Sequence, residues 1–326
     1  MKLLSSLIKN DLEGKRVIVR GDLDVSDLSE NDIRLQRLVP TVKYLLENNA
    51  KVVLIGHRGR PDGEAQEKYS LTPLAPILEK MIGTKEGWEL HENLRFDKRE
   101  EENSEVLAKE LANLGDLYVN EAFSVSHRNH ASIVGIPKFL PSYLGLNFEK
   151  EIENLNKVVK NPKRPLIILL SGVKEDKLKM IEPLSKIADK VLVGGRLPDL
   201  MGDKGLESVR LQNDDQKIII GNLIMDKEDI TLNTVDRFSN EVLKAGTIVL
   251  AGVLGKYEDE GHSQGTRKVF QAVANSSAFK IVGGGDSLAA ISKYGLENKF
   301  DWISVGGGAM IEYLTQTNMV GIEALK

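Results

Sequence analysis

Short runs of Val, Ile and Leu alternate along the chain with longer stretches in which apolar residues recur every three or four positions. The first class includes RVIVRGDL at 16–23, AKVVLIGHRG at 50–59, DLYVNEAF at 116–123, RPLIILLSG at 164–172 and DKVLVGG at 189–195. It continues with QKIIIGN at 216–222, GTIVLAG at 246–252, FKIVGGG at 279–285 and DWISVGGG at 301–308. The second class includes IRLQRLVPTVKYLLENN at 33–49, TPLAPILEKMIG at 72–83, SEVLAKELANLG at 104–115, KLKMIEPLSKIA at 177–188 and DSLAAISKYG at 286–295. Unbroken apolar runs predict strands covered on both faces, hence parallel sheets with helices on either side. The charged, helically spaced FEKEIENLNKVVKNPKRP, from Phe148 to Pro165, predicts a helix joining two sheet-based halves, with a boundary near residue 150. The expected fold class is therefore α/β, with two Rossmann-like parallel-sheet domains at 1–150 and 151–312.

The length of 326 residues suits two such domains. A formal net charge of -4 offers no global positive field for nucleic acid or an anionic membrane, so any bound anion must meet a local basic cluster. The chain has no cysteine, which excludes disulfides, thiolate nucleophiles and Cys-zinc sites. Its five histidines are scattered, so a metal would use carboxylate, phosphate and water oxygens, as magnesium does. The charged N-terminal stretch does not read as a signal peptide and no apolar run is long enough to span a membrane. A cytoplasmic protein is expected.

Candidate chemistry gathers at strand ends, where open parallel sheets bind ligands. In the first half these residues are Asp22 and Asp24, His57 and Arg60, Arg95, and His127 with Arg128, while Arg34 opens the first long helix. Arginines converging there would suit phosphate or carboxylate, because a guanidinium is a planar, permanently charged fork. In the second half, Gly284 and Gly285 precede Asp286 and Ser287, and Gly306, Gly307 and Gly308 follow the last strand. Missing Cβ atoms would let a phosphate or base reach backbone amides at a helix N-terminus. Asp286 stands where a nucleotide-bound magnesium could be held. Lys174 and Lys177 lie at a strand-to-helix junction, Gly255 in a glycine loop, and Glu258 just after it. Neither G-x-x-x-x-G-K-[ST] nor G-x-G-x-x-G occurs, which argues against a Walker loop and a standard dinucleotide fold.

In this order the segments RGDLDV, NDIR, GHRGRP, ENLRF, NEAF, SHRNHAS, GTIVLAGVLGKYE, QGT, VGGGDS and ISVGGGAMIEYL resemble phosphoglycerate kinases over nearly the whole chain. The resemblance implies two domains facing each other across a cleft, with residues 313–326 returning to the first. It implies a monomer that transfers a phosphoryl group reversibly between 1,3-bisphosphoglycerate and ADP, giving 3-phosphoglycerate and ATP, with Mg2+. The acid substrate would be held by Asp22, Asp24, Arg34, His57, Arg60, Arg95, His127 and Arg128. The nucleotide would be held by Lys174, Lys177, Gly255, Glu258, Gly284, Gly285, Asp286, Ser287, Gly306 and Gly307. Arg34, Lys174, Gly285 and Gly308 would act on the transferring group, and Asp286 on the metal.

Several positions depart from that family's pattern. Gly21 replaces a β-branched or apolar residue and Asp24 an asparagine. SGVKEDK is one residue short, so Lys174 and Lys177 cannot both keep the usual spacing; Lys174 is favoured. LAGVLG and VGGRLPDLMG are altered, and the stretch from Gly195 to Gly246 is shortened. Two other functions stay open: a non-catalytic descendant that keeps the acid site, and a kinase for a different small carboxylate or phosphorylated acid, motivated by Asp24.

Overall fold

The computed structural model describes residues 2–25, 27–202, 217–316 and 319–326. Residues 203–216, inside the shortened stretch, and residues 317 and 318 of the expected tail lie outside the described residues. The chain divides into two compact units, Met1–Glu153 with Asn318–Lys326, and Asn154–Thr317. The division falls within the helix Leu146–Val159.

The first unit holds five parallel strands: β1 (Arg16–Arg20), β2 (Lys51–Ile55), β3 (Trp88–Leu90), β4 (Leu117–Asn120) and β5 (Ser142–Leu144), in the order β3-β2-β1-β4-β5. β1 and β2 are exposed at their first residue and buried at the next four, as continuous apolar runs require when helices cover both faces. Val17, Val19, Val52 and Leu54 pack with Leu35, Leu38, Val42 and Leu45 of the helix Ile33–Glu47 in one core. That helix starts at Asp32, whose carboxylate accepts the backbone N–H of Arg34 at 2.8 Å. Gly21 is explained here: a Cβ would lie 2.9 Å from Leu38 Cδ2 and 3.1 Å from Leu54 Cδ1. The C-terminal segment belongs to this unit, and the Gly321 N–H donates to the Ser126 carbonyl at 2.8 Å.

The second unit holds six parallel strands: β6 (Leu166–Leu170), β7 (Lys190–Val193), β8 (Ile218–Ile220), β9 (Thr247–Ala251), β10 (Phe279–Gly283) and β11 (Trp302–Ser304). Their order is β11-β10-β9-β6-β7-β8. Both sheets therefore start in the middle, wind out to one edge and return to build the other. The direction reverses between β1 and β4 in the first unit and between β6 and β9 in the second, which is where a ligand crevice opens at the carboxyl ends. Phe238 and Phe270, on the helices Leu232–Val242 and Gln264–Asn275, fill the core against Ile167, Leu169, Ile248 and Leu250. Among the described residues no helix is long and apolar enough to cross a membrane.

Candidate active site

In the first unit a buried basic cluster forms where β1, β2 and β4 end. Arg20, the last residue of β1, is 1% exposed. Its Nε donates to Ser132 Oγ at 2.9 Å, one Nη to the Gly21 carbonyl, and the other lies 3.0 Å from His57 Nδ1. Arg95 Nη1 donates to the Gly59 carbonyl at 2.8 Å and its Nε pairs with Glu101 at 3.2 Å. Arg34 reaches Asp22, with Nε 3.3 Å from Oδ2 in an ion pair that is not a hydrogen bond. Asp22 holds Arg34 more firmly protonated despite its burial. Asp24 accepts the Gly59 N–H at 2.7 Å and lies 3.8 Å from His57 Nε2.

His57, His127 and His130 are held neutral. Burial pushes His57 far below its ordinary range, and Arg20, Arg95, Arg128 and His130 push it further. Burial and Arg128 bring His127 to about 4; burial, with Arg95, Arg128 and Arg20, brings His130 to about 3. Three guanidinium groups thus surround a neutral imidazole. Arg95 Nη2 and His127 Nδ1 are buried without a hydrogen-bond partner among the described residues. Arg95 Nη2 is an orphaned donor among like charges, which is costly unless an anion joins it. The structure brings Asp22, Asp24, Arg34, His57, Arg95, His127 and Arg128 together. Arg60 is exposed at the end of the same β2 loop. Arg20, His130, Glu100 and Ser132 belong to the cluster although sequence reasoning passed them over.

In the second unit Lys177 turns back onto the point where strand order reverses. Its Nζ donates to the Ser171 carbonyl after β6, at 2.5 Å, and to the Ala251 carbonyl ending β9, at 3.0 Å. Burial lowers it to about 8, while Asp286 and Asp176 favour its charged form. Lys174, the favoured residue of the two, is exposed at the start of the short helix Glu175–Met180. Gly172 and Gly252 flank Lys177 with φ of +131° and +125°, and a Cβ on Gly252 would lie 2.0 Å from the Ser171 oxygen. Ser287 is fully buried, and its Oγ accepts the Gly252 N–H at 2.9 Å.

The two glycine runs meet. A Cβ on Gly307 would stand 2.5 Å from Gly284 Cα, whereas Cβ atoms on Gly285 or Gly308 would meet nothing within 4 Å. Gly307 is thus bare because the loops touch, Gly284 because its backbone has a φ of +103°, and Gly285 and Gly308 face open space. Gly306 is buried beneath them. Asp286 is exposed in the first turn of the helix Gly285–Lys293. Glu258 is exposed beside Tyr257, which feels both Glu258 and Asp286. Gly255 has a packing reason of its own, since a Cβ would lie 2.3 Å from Asp229 Oδ1.

The family model for phosphoglycerate kinase matches residues 7–88, 84–203 and 206–317. This chain belongs to the phosphoglycerate kinase family. A phosphoglycerate kinase of Dictyoglomus turgidum is 35% identical over all of this chain and 99% of its own length, and one of Thermosipho africanus 37% identical over 97% and 96%. The first alignment spans 392 positions against 326 residues here, so that family member carries segments this chain lacks. The phosphoglycerate kinase structure from Pyrococcus horikoshii superposes with a TM-score of 0.83 at 29% identity, covering all of this chain and 98% of its own. The one from Coxiella burnetii gives 0.81 at 30%, covering 99% and 98%. Membership in this kinase family makes the chain a phosphotransferase.

Proposed function

We propose that the chain catalyses reversible phosphoryl transfer between 1,3-bisphosphoglycerate and ADP, with the carboxyl group of 3-phosphoglycerate as acceptor in the ATP-consuming direction. The observation that carries this reading is the orphaned pair Arg95 Nη2 and His127 Nδ1 inside a buried cluster of guanidinium groups. That cluster suits a small, multiply charged acid. Arg95, Arg128 and His127 bind its phosphate and Arg34 its carboxyl end, with Asp22 holding Arg34 at the site.

The nucleotide phosphates lie against the amides exposed by Gly285 and Gly308, at the start of two helices whose N-terminal N–H groups favour negative charge. Glu258 takes the ribose. Lys177, fixed between two strand-end carbonyls, places its charge beside Asp286; Lys174 stays at the rim. Asp286, a single exposed carboxylate at a phosphate-binding helix terminus, fits magnesium, which takes one or two carboxylates and fills its remaining positions with phosphate and water. Bound there, the ion would neutralise charge on the phosphate oxygens.

Such a transfer needs little covalent help. It needs donor and acceptor in line and the charge on the equatorial oxygens offset, which fixed cations and amides supply without reorganising. Asp24 adds a negative charge to the acid site and motivates a different acid as the second reading. ATP formation from 1,3-bisphosphoglycerate, ADP and magnesium tests the first reading. Turnover that Arg34→Ala and Lys177→Met each depress by about 100-fold or more, the scale of losing one well-placed donor, is expected. No turnover with this acid, but turnover with another carboxylate, would move the assignment to the second reading.

A further inference from the structure

Buried polar groups in the first unit form a chain that ends on His57. Glu100 is fully buried; its Oε2 accepts the Ser132 N–H at 2.9 Å and its Oε1 the Ser132 hydroxyl at 2.6 Å. With its proton given to Glu100, the Ser132 oxygen accepts from Arg20 Nε at 2.9 Å. The Ser132 carbonyl is itself fixed, accepting the Tyr118 hydroxyl at 2.7 Å. Arg20 then lies 3.0 Å from His57 Nδ1. A guanidinium has five donors and no acceptor. The ring nitrogen it meets must therefore be the unprotonated one. His57 is 1% exposed and held neutral, so its one proton sits on Nε2, the nitrogen 3.8 Å from Asp24 Oδ2.

We propose that Glu100 and Ser132 are positioning residues that, through Arg20, lock His57 as the neutral Nε2–H tautomer and so aim one hydrogen-bond donor at the bound acid. The charged groups facing His57 are Arg20, Arg95 and Arg128, with His130 and Asp24 beside them. A cation at His57 would face three like charges, whereas a neutral donor keeps the recognition of an anion without that repulsion. The tautomer also matters for orientation. With the proton on Nδ1, His57 would turn an N–H toward a guanidinium and a lone pair toward the substrate.

This inference rests on the acid site proposed above only for its consequence, not for the tautomer. The test is long-range 1H–15N correlation on histidine-labelled protein; with five histidines in the chain, His57→Gln identifies the His57 signals by their loss. Wild type is expected to show Nδ1 unprotonated and Nε2 protonated, unchanged across neutral pH. Ser132→Ala is expected to bring in the Nδ1–H form and raise KM for the acid substrate about tenfold, the scale of one misdirected hydrogen bond, with kcat nearly unchanged. Ser132→Thr, which keeps the hydroxyl, is expected to restore both. If Ser132→Ala fails to fold, the wild-type spectrum and Ser132→Thr still decide. A protonated Nδ1 in wild type, or a tautomer unmoved in folded Ser132→Ala, overturns the proposal. The wild-type tautomer found together with no phosphoryl transfer from any acid would leave the positioning chain standing and remove only the functional reading.

Discussion

The Cα atom of Gly284 lies 2.5 Å from where a Cβ on Gly307 would stand. Backbone, not a movable side chain, fills that space, so the two glycine loops can close on each other only while Gly307 stays bare. Gly307→Ala is expected to push them apart, lowering the melting temperature and weakening ADP binding together. Gly308→Ala meets nothing within 4 Å and separates the two effects. Its melting temperature is expected to match wild type while ADP affinity falls, because only a ligand would touch the new methyl group. Calorimetric titration with ADP beside a thermal melt measures both. An unaltered affinity in Gly308→Ala contradicts the idea that the nucleotide lies on this wall.

Lys177 gives a pH dependence. Its pKa in the folded chain, about 8, lies below the ordinary 10.5 because of burial, against the pull of Asp286 and Asp176. Between those values the unfolded chain holds a proton that the folded chain has shed. Stability is therefore expected to rise with pH across that window, while the cation beside Asp286 is lost. ADP affinity is expected to fall as pH passes about 8. Lys177→Arg, which keeps its charge, is expected to remove the fall, and Lys174→Met to leave it in place. Titrations with ADP on either side of pH 8 check this.

Glu121 works in the opposite sense. Burial pushes its carboxyl up to about 8 from 4.5, although the Thr41 hydroxyl and the amides of Asn147 and Phe148 all donate to it. Between those values the folded chain holds a proton that the unfolded chain has lost, so this group makes stability fall as pH rises. Glu121→Gln is expected to remove that slope in denaturant melts. A slope unchanged by the substitution would show that the burial cost of the carboxylate is relieved in some other way.

Much of this was legible in the sequence because parallel sheets buried on both faces write themselves as unbroken apolar runs. The central strands β1, β2, β6 and β9 are such runs, and the candidate residues follow directly from where they stop. β3 and β5 left no comparable signal: they are three-residue edge strands, Trp88–Leu90 and Ser142–Leu144, and β3 is not buried. Arg20 was hidden for a different reason. A charged residue at the end of RVIVR reads as the place where a strand meets water, yet it is buried by Ser132, 112 positions away. Pairing at that distance leaves no local pattern. The two lysines were ordered by strand-end position, which cannot show that the short helix after Lys174 folds Lys177 back over the sheet.

Asp24 departs from the family pattern, and its effect is separable from its structural role. Asn at this position keeps an acceptor for the Gly59 N–H but removes a negative charge that Arg34 and Arg95 both feel. Asp24→Asn is expected to tighten 3-phosphoglycerate binding by about 1 kcal/mol, a few-fold, at low ionic strength, with the gain shrinking as salt is added. Weaker binding in the variant would mean that Asp24 itself accepts a hydrogen bond from the substrate.

The claim underlying all of these is a division of labour: guanidinium groups of the first unit hold the acid, and glycine-exposed amides of the second hold the nucleotide. Calorimetric titration of Arg95→Ala with 3-phosphoglycerate and, separately, with ADP and magnesium tests it most directly. The expected result is loss of acid binding by about 100-fold, the scale of an unpaired charge–hydrogen-bond contact, with nucleotide affinity unchanged. Equal weakening of both ligands, or undiminished binding of the acid, would contradict it.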